Sequence, residues 1–261
     1  MKINNRDIKV VGSMLVSQNA ELLDITIPNL LKWCDWILIL MDNESKEVIE
    51  KVNFYTKKYY KKIWVRRSSV PSQVIARSGN INNYHERWKQ VKGMVRDDVF
   101  VNIRRILSFK QEEYDHIDIF IFQDHDEIFT DYLPELLERF WNSDKKAISM
   151  KPVDVVGDLY TIKRESKDHH VYIMKYDPAL AGLPRRFHAL YYPLNHNDLM
   201  FADYYSVHLA YLTDSNRKWR KENWKKHDLR GCELWKISRT ITELNPKEIK
   251  DILNLPSNEK Y

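Results

Sequence analysis

Apolar and polar positions alternate in blocks along the first half of the chain. Residues 8–16, IKVVGSMLV, form a short β-branched run bounded by polar residues, the pattern of a buried strand. Residues 21–32, ELLDITIPNLLK, carry apolar side chains at helical spacing, with Pro28 expected at a break or near the start of a turn. WILILM, from Trp36 to Met41, is a second buried strand and stops at Asp42-Asn43-Glu44-Ser45, a turn and helix-capping composition. A helix with a lysine-rich outer face is predicted over 46–62, and a third strand over 62–67, KIWVRR. After a looser segment at 68–83, a long helical stretch is predicted over 84–113, interrupted near Gly93 or Asp97. A fourth strand covers 117–123, a helix 132–142 and a fifth strand 146–150.

Near-continuous apolar strands that alternate with helices predict an α/β protein: a mostly parallel, Rossmann-like sheet flanked by helices. Beyond Pro152 the pattern degrades into short apolar pieces (VDVVGDLYTI, HVYIMKY, FHALYYPL), then a strand near YYSVHLAYL at 204–212 and one small helix in the tail. That half is expected to be an irregular extension of the same domain, so the division is 1–150 and 151–261.

In parallel sheets ligands bind beyond the carboxyl ends of the strands. Three polar clusters fall at such ends: Ser17-Gln18-Asn19, Asp42-Asn43-Glu44-Ser45 and Asp124-His125-Asp126. The last belongs to DIFIFQDHDEIF, where an apolar run gives way to Asp124, Asp126 and Glu127. Carboxylates so close repel one another unless a cation lies between them. Asp-x-Asp at the end of a buried strand suits Mg²⁺ or Mn²⁺, which also take phosphate oxygens and neutralise a departing diphosphate. The competing reading is a surface turn whose acids cap the next helix.

The order and separation of these motifs bring in a family. VGSMLVSQNAELLDITIPNLLKWCDWILILMDNES resembles the opening of family-2-type glycosyltransferases of the GT-A fold, and DIFIFQDHDEIF resembles their metal-binding Asp-x-Asp. The resemblance covers residues 8–150. It implies that Asp42 contacts the base or ribose of a nucleotide-sugar donor, UDP being the expected nucleotide, with Asn43 or Ser45 in support. It implies that Asn19 and Glu21 line the base pocket and that Asp124 and Asp126 face the metal and the diphosphate-sugar. His125 is the variable position of the motif and is expected to face solvent; Glu127 either caps the following helix or touches substrate. His208 is the expected third metal ligand, ahead of His188 and His196. Arg217, with Lys218 and Arg220, is expected to clamp the diphosphate. The base that deprotonates the acceptor hydroxyl is expected among Asp203 and Asp198, with Asp154 and Asp158 nearer the sheet.

The totals narrow the alternatives. The chain has 261 residues and a net charge of +5, which permits an anionic partner without demanding one. Its 6 glycines form no phosphate-binding loop. A sugar-nucleotide nucleotidyltransferase would also bind metal on an α/β sheet, but VSQNAELL lacks the glycine and the basic residue such enzymes carry there. Asn195-His196-Asn197 lacks the second histidine of a metal nuclease. KWRKENWKKHD interleaves cations with tryptophan, so a nucleic-acid-binding module is the non-enzymatic alternative. The acceptor is expected to be a glycan, a hydroxymethylated DNA base or a protein, and the sequence does not choose among them. Only 2 cysteines occur, outside any paired motif. MKINNRDIKV lacks a signal-peptide core, and the longest apolar run is too short to span a bilayer. The expected compartment is the cytoplasm.

Overall fold

The computed structural model describes residues 2–3, 6–16, 19–41, 45–67, 102, 116–157, 162–165, 170–177, 196–215 and 217–218. The segments expected at 68–83 and 84–113 (apart from Asn102) and in the C-terminal tail lie outside the described residues. So do Asp42, Asn43, Asp158, His188, Asn195, Arg220 and the basic segment beyond Lys218.

A small antiparallel pair, β1 (Lys2–Ile3) and β2 (Arg6–Asp7), precedes the main sheet. The core elements follow the hydrophobic pattern closely: β3 (Val10–Val16), α1 (Leu23–Trp33), β4 (Trp36–Met41), α2 (Lys46–Lys58), β5 (Ile63–Arg67) and β6 (Ile119–Asp124). Then come β7 (Glu127–Phe129), α3 (Leu133–Trp141), β8 (Ala147–Val156), β9 (Ile162–Glu165), β10 (His170–Lys175) and β11 (Leu199–Tyr211). The sheet order is β5-β4-β3-β6-β10-β8-β11-β7, with β9 paired to β8.

The first four strands of that order are parallel, as predicted. Beyond β6 the sheet is mixed, which corrects the expectation of a mostly parallel sheet: β10 is antiparallel to both β6 and β8, and β7 is antiparallel to β11. β8 and β11 are parallel, and two antiparallel steps through β10 restore the direction of β6. β3, β4, β5, β6, β8 and β11 therefore all point one way, and their carboxyl ends share one rim. The boundary expected at residue 150 falls inside β8.

Helical periodicity decides which faces are buried. α1 buries Leu23, Thr26, Ile27 and Leu30, and α3 buries Leu133, Leu136, Leu137 and Phe140, both at i, i+3, i+4, i+7. Together with Val48, Val52 and Tyr55 of α2, the apolar ones among these side chains form one cluster with the sheet. Each fully buried aliphatic or Phe side chain contributes about 1.5–3 kcal/mol.

Pro28 does not break α1. It is an interior residue of that helix, and what it forfeits is its own N–H bond to the carbonyl of the exposed Asp24. Burial of the flanking Ile27 and Leu30 outweighs the lost bond. α2 ends at Lys58, earlier than expected, and Lys61 adopts a left-handed φ of 73° before β5 begins.

Ser45 caps α2 as predicted. Its hydroxyl accepts from the Val48 N–H at 3.3 Å. Ser45→Ala is expected to cost about 1 kcal/mol, read as a lower urea midpoint at unchanged m-value.

Acids at the opposite, amino-terminal edge are structural. Asp35 accepts from the Val10 N–H at 2.8 Å, and Asp118 accepts from the Lys9 N–H at 2.9 Å and pairs with Arg6 and His116. They clamp the start of β3.

Candidate active site at the carboxyl rim

The acidic stretch after β6 is a tight turn that leads into β7. Four hydrogen bonds fix it. The Gln123 amide donates to the carbonyls of Glu127 (2.7 Å) and Thr26 (3.2 Å), which ties the turn to α1. The Asp124 N–H donates to Glu127 Oε2 at 3.2 Å. The Leu209 N–H donates to the Asp126 carbonyl at 2.6 Å, which ties the turn to β11. β7 is held further by Asn29 of α1, whose side chain bonds both the N–H and the carbonyl of Phe129 at 2.8 and 2.9 Å.

These contacts place the side chains. β7 runs antiparallel to β11 with Glu127 opposite His208. His208 Nε2 lies 3.4 Å from Asp126 Oδ2, and its Nδ1 lies 2.7 Å from Asp154 Oδ1. Asp154 is the residue directly across from His208 on β8. Beneath them Leu22, Ile128, Val153, Val155, Val207 and Leu209 form a separate apolar cluster, so the charges sit over low-dielectric ground. Burial opposes the charge on His208, but Asp126 and Asp154 outweigh it and push its pKa up to about 10.

Glu127 is buried and does not cap α3, whose N-terminal residue Tyr132 provides no side-chain cap. Instead Glu127 Oε1 accepts from the Tyr172 hydroxyl at 2.8 Å. Burial, then the charge of Asp124, push its carboxyl up to about 7, against the pull of the His208 charge.

His125 is not a solvent-facing spacer. It is 8% exposed and faces Asn19, whose amide nitrogen is 3.4 Å from its Nε2. Asn19 stands at φ 60°, ψ 54°, a left-handed conformation that Asn tolerates better than most residues. The variable position of the Asp-x-Asp thus touches the loop after β3. Only the fold-back of β7 turns it inward, and no sequence pattern carries that information. Tyr172, inside the short apolar piece HVYIMKY, carries no such signal in the sequence either.

Glu21 accepts from Thr213 at 2.6 Å and from Ser215 at 2.5 Å, joining the loop after β3 to the chain after β11. An open groove of about 1020 Å³ runs past Asn19, Glu21, Asp24, Glu47, Lys51 and Phe54. None of the three acids of the turn lines it. Arg217 pairs with Asp214, donates to the Leu212 carbonyl and lies near Gly157 at the end of β8.

Asp198 is at the wrong end. It precedes Leu199, which is level with Ala147 at the start of β8, and its side chain pairs with Lys146 at 3.0 Å. The structure does not bring it to the rim. Asp203 lies within β11 opposite Lys151, just before a register shift, on the strand that carries His208. Exposed His196 stacks near Phe201, away from the turn.

Among the described residues, no three His, Cys, Asp or Glu side chains converge on one point as a preformed metal cage. The spacing within the Asp126–His208 pair does suit an ion. Two ligand atoms each about 2.1 Å from a shared ion lie roughly 3.0–3.4 Å apart. Carboxylate oxygens with one imidazole nitrogen are a donor set that Mn²⁺ accepts.

No protein-family model matches the chain, and no curated protein matches it. Among solved structures, a 4-diphosphocytidyl-2C-methyl-D-erythritol synthase from Anaerococcus prevotii is 10% identical at a TM-score of 0.34. That match covers 66% of this chain and 65% of the synthase, just under two thirds of its length. A protein described as a glucose-1-phosphate thymidylyltransferase from Bacillus anthracis is 15% identical at a TM-score of 0.38, covering 92% of this chain and 99% of that one. Neither score establishes a shared fold. Among the described residues no helix is long and apolar enough to cross a membrane.

Proposed function

We propose that the chain is a metal-dependent glycosyltransferase that moves a sugar from a nucleoside-diphosphate donor, UDP-sugar being the expected one, to an acceptor hydroxyl. One observation carries this reading. The turn after β6 and the far ends of β8 and β11 bring Asp126, His208 and Asp154 into direct contact at the rim where α/β sheets bind ligands.

In this reading Asp126 and His208 would hold Mn²⁺ or Mg²⁺, with Asp124 as the third expected ligand. The bound ion supplies charge neutralisation for the departing diphosphate. Asn19 and Glu21 border the groove along α2, which offers room for a base and ribose. Asp42 and Asn43 would complete that pocket from the carboxyl end of β4, with Ser45 fixing the start of α2. Arg217 contacts the diphosphate from the end of β8. During transfer the bond from the anomeric carbon to the phosphate oxygen breaks and the bond to the acceptor oxygen forms. The acceptor proton passes to a carboxylate, and Asp203 is the residue retained for that role, since Asp198 is engaged at the opposite edge.

Thermal unfolding with Mn²⁺ and a nucleotide panel tests this. A nucleoside diphosphate at 100 times its Kd is expected to add about 2.7 kcal/mol, a rise of roughly 5–11 °C, and only with metal present. Stabilisation by triphosphates but not diphosphates would favour the nucleotidyltransferase. Salt-sensitive oligonucleotide binding without any nucleotide response would favour the binding module.

A further inference from the structure

We propose that Asp154 is a positioning residue: it accepts the Nδ1 proton of His208 and so fixes Nε2 as the nitrogen offered to a divalent ion beside Asp126. This rests on the reading above that Asp126 and His208 belong to a metal centre, and it assigns a role that the sequence did not suggest for Asp154.

The geometry is specific. β8 and β11 are parallel neighbours, and Asp154 is the direct partner of His208 in their register. The Nδ1–Oδ1 separation of 2.7 Å is that of a charge-assisted hydrogen bond. The opposite ring nitrogen is the one aimed at the acidic turn, 3.4 Å from Asp126 Oδ2. Both partners of the 2.7 Å bond are largely shielded, with side chains 22% and 18% exposed, so water competes weakly for it.

The chemistry follows from the two nitrogens of imidazole. A metal ligand must present a lone pair, so the ring keeps one proton only, and which nitrogen keeps it is set by the bond the other side makes. A carboxylate is only an acceptor when ionised. Once an ion displaces the Nε2 proton, Asp154 holds the remaining proton on Nδ1, and the Nε2 lone pair faces the ion beside Asp126. The same bond stops the ring from turning and adds electron density to it. Metal-binding histidines commonly have such a partner, and its loss costs roughly 10- to 100-fold in metal affinity. With its oxygen committed to His208, Asp154 is poorly placed to act as the base for an acceptor.

The test is Mn²⁺ titration of the full chain, followed by the electron paramagnetic resonance of the free ion, on the wild type, Asp154→Asn and Asp154→Ala. The wild type is expected to bind Mn²⁺, and both variants to bind it roughly 10- to 100-fold more weakly. A second measurement reads the tautomer directly. With Zn²⁺ as a diamagnetic stand-in, long-range ¹H–¹⁵N spectra of the wild type are expected to show the His208 proton on Nδ1 and the metal on Nε2. Mn²⁺ affinities within twofold of the wild type, or a proton on Nε2 in the metal-loaded wild type, overturn the role of Asp154. A wild type that binds no Mn²⁺ overturns the metal centre and this inference together, whereas unchanged variants of a Mn²⁺-binding wild type overturn the inference alone. If either variant fails to fold, the wild-type spectrum decides.

Discussion

Asp126→Asn is expected to abolish metal-dependent stabilisation by a nucleoside diphosphate and to lower turnover by about 100- to 1000-fold, the scale of losing one charge-stabilising element of a transition state. The turn itself should survive. Its backbone is held by the Leu209 N–H and by Gln123, neither of which depends on the Asp126 carboxylate. Asp124→Asn is expected to lose the same metal effect, but the two variants should differ in stability. Asp126 forms an ion pair with His208, so its replacement costs about 1–3 kcal/mol. Asp124 exerts the largest charge repulsion on buried Glu127, so its replacement relieves that repulsion and should cost the metal-free protein less than the Asp126 change does. Urea unfolding without metal, paired with Mn²⁺ titration, reads both effects. Normal turnover by both variants would sink the assignment of the site.

Gly12→Val is expected to cost at least roughly 3 kcal/mol, a fall in Tm of about 6–12 °C. Gly12 lies in the middle of β3, directly under α1. A Cβ there would come within 2.8 Å of Cys34 Sγ and 3.0 Å of Leu30 Cδ1 and Cγ. Both neighbours are buried, so neither can swing away cheaply. Gly12→Ala should cost less, about 1–2 kcal/mol, because strand entropy returns part of the overpacking penalty. The cause can be isolated with a double-mutant cycle. Cys34→Ala combined with Gly12→Ala should recover stability relative to the sum of the single changes, since it removes the atom in closest conflict. Simple additivity would show that the close approach of α1 to β3 is not what the glycine serves.

The close approach also shows where sequence reading stops. The run IKVVGSMLV announces a buried strand, and Gly12 passes unnoticed within it. Its necessity comes from a helix that the strand meets only in three dimensions. The same holds for Pro28, which reads as a break and is an interior helix residue because buried neighbours on both sides outweigh one lost bond.

The second half of the chain was less legible for a related reason. β8 and β11 run past their apolar cores, through Asp154 and through register shifts on either side of Ser206 and His208. A strand whose pairing is irregular and whose faces change surroundings along its length leaves no clean period in the sequence.

The sequence by itself determined the elements whose burial repeats regularly. β3, β4, β5 and β6 follow from continuous apolar runs, α1, α2 and α3 from one buried stripe each, and Ser45 as a cap from its side chain. It also placed Asp124 and Asp126 at a strand's carboxyl end. Only the tertiary structure decided that β10 runs antiparallel, that His125 faces Asn19, and that Asp126, His208 and Asp154 meet. Period and propensity are local, written within one turn or one strand. A contact between residues 54 apart depends on which strands pair and in which register, and that is fixed by the packing of the whole sheet.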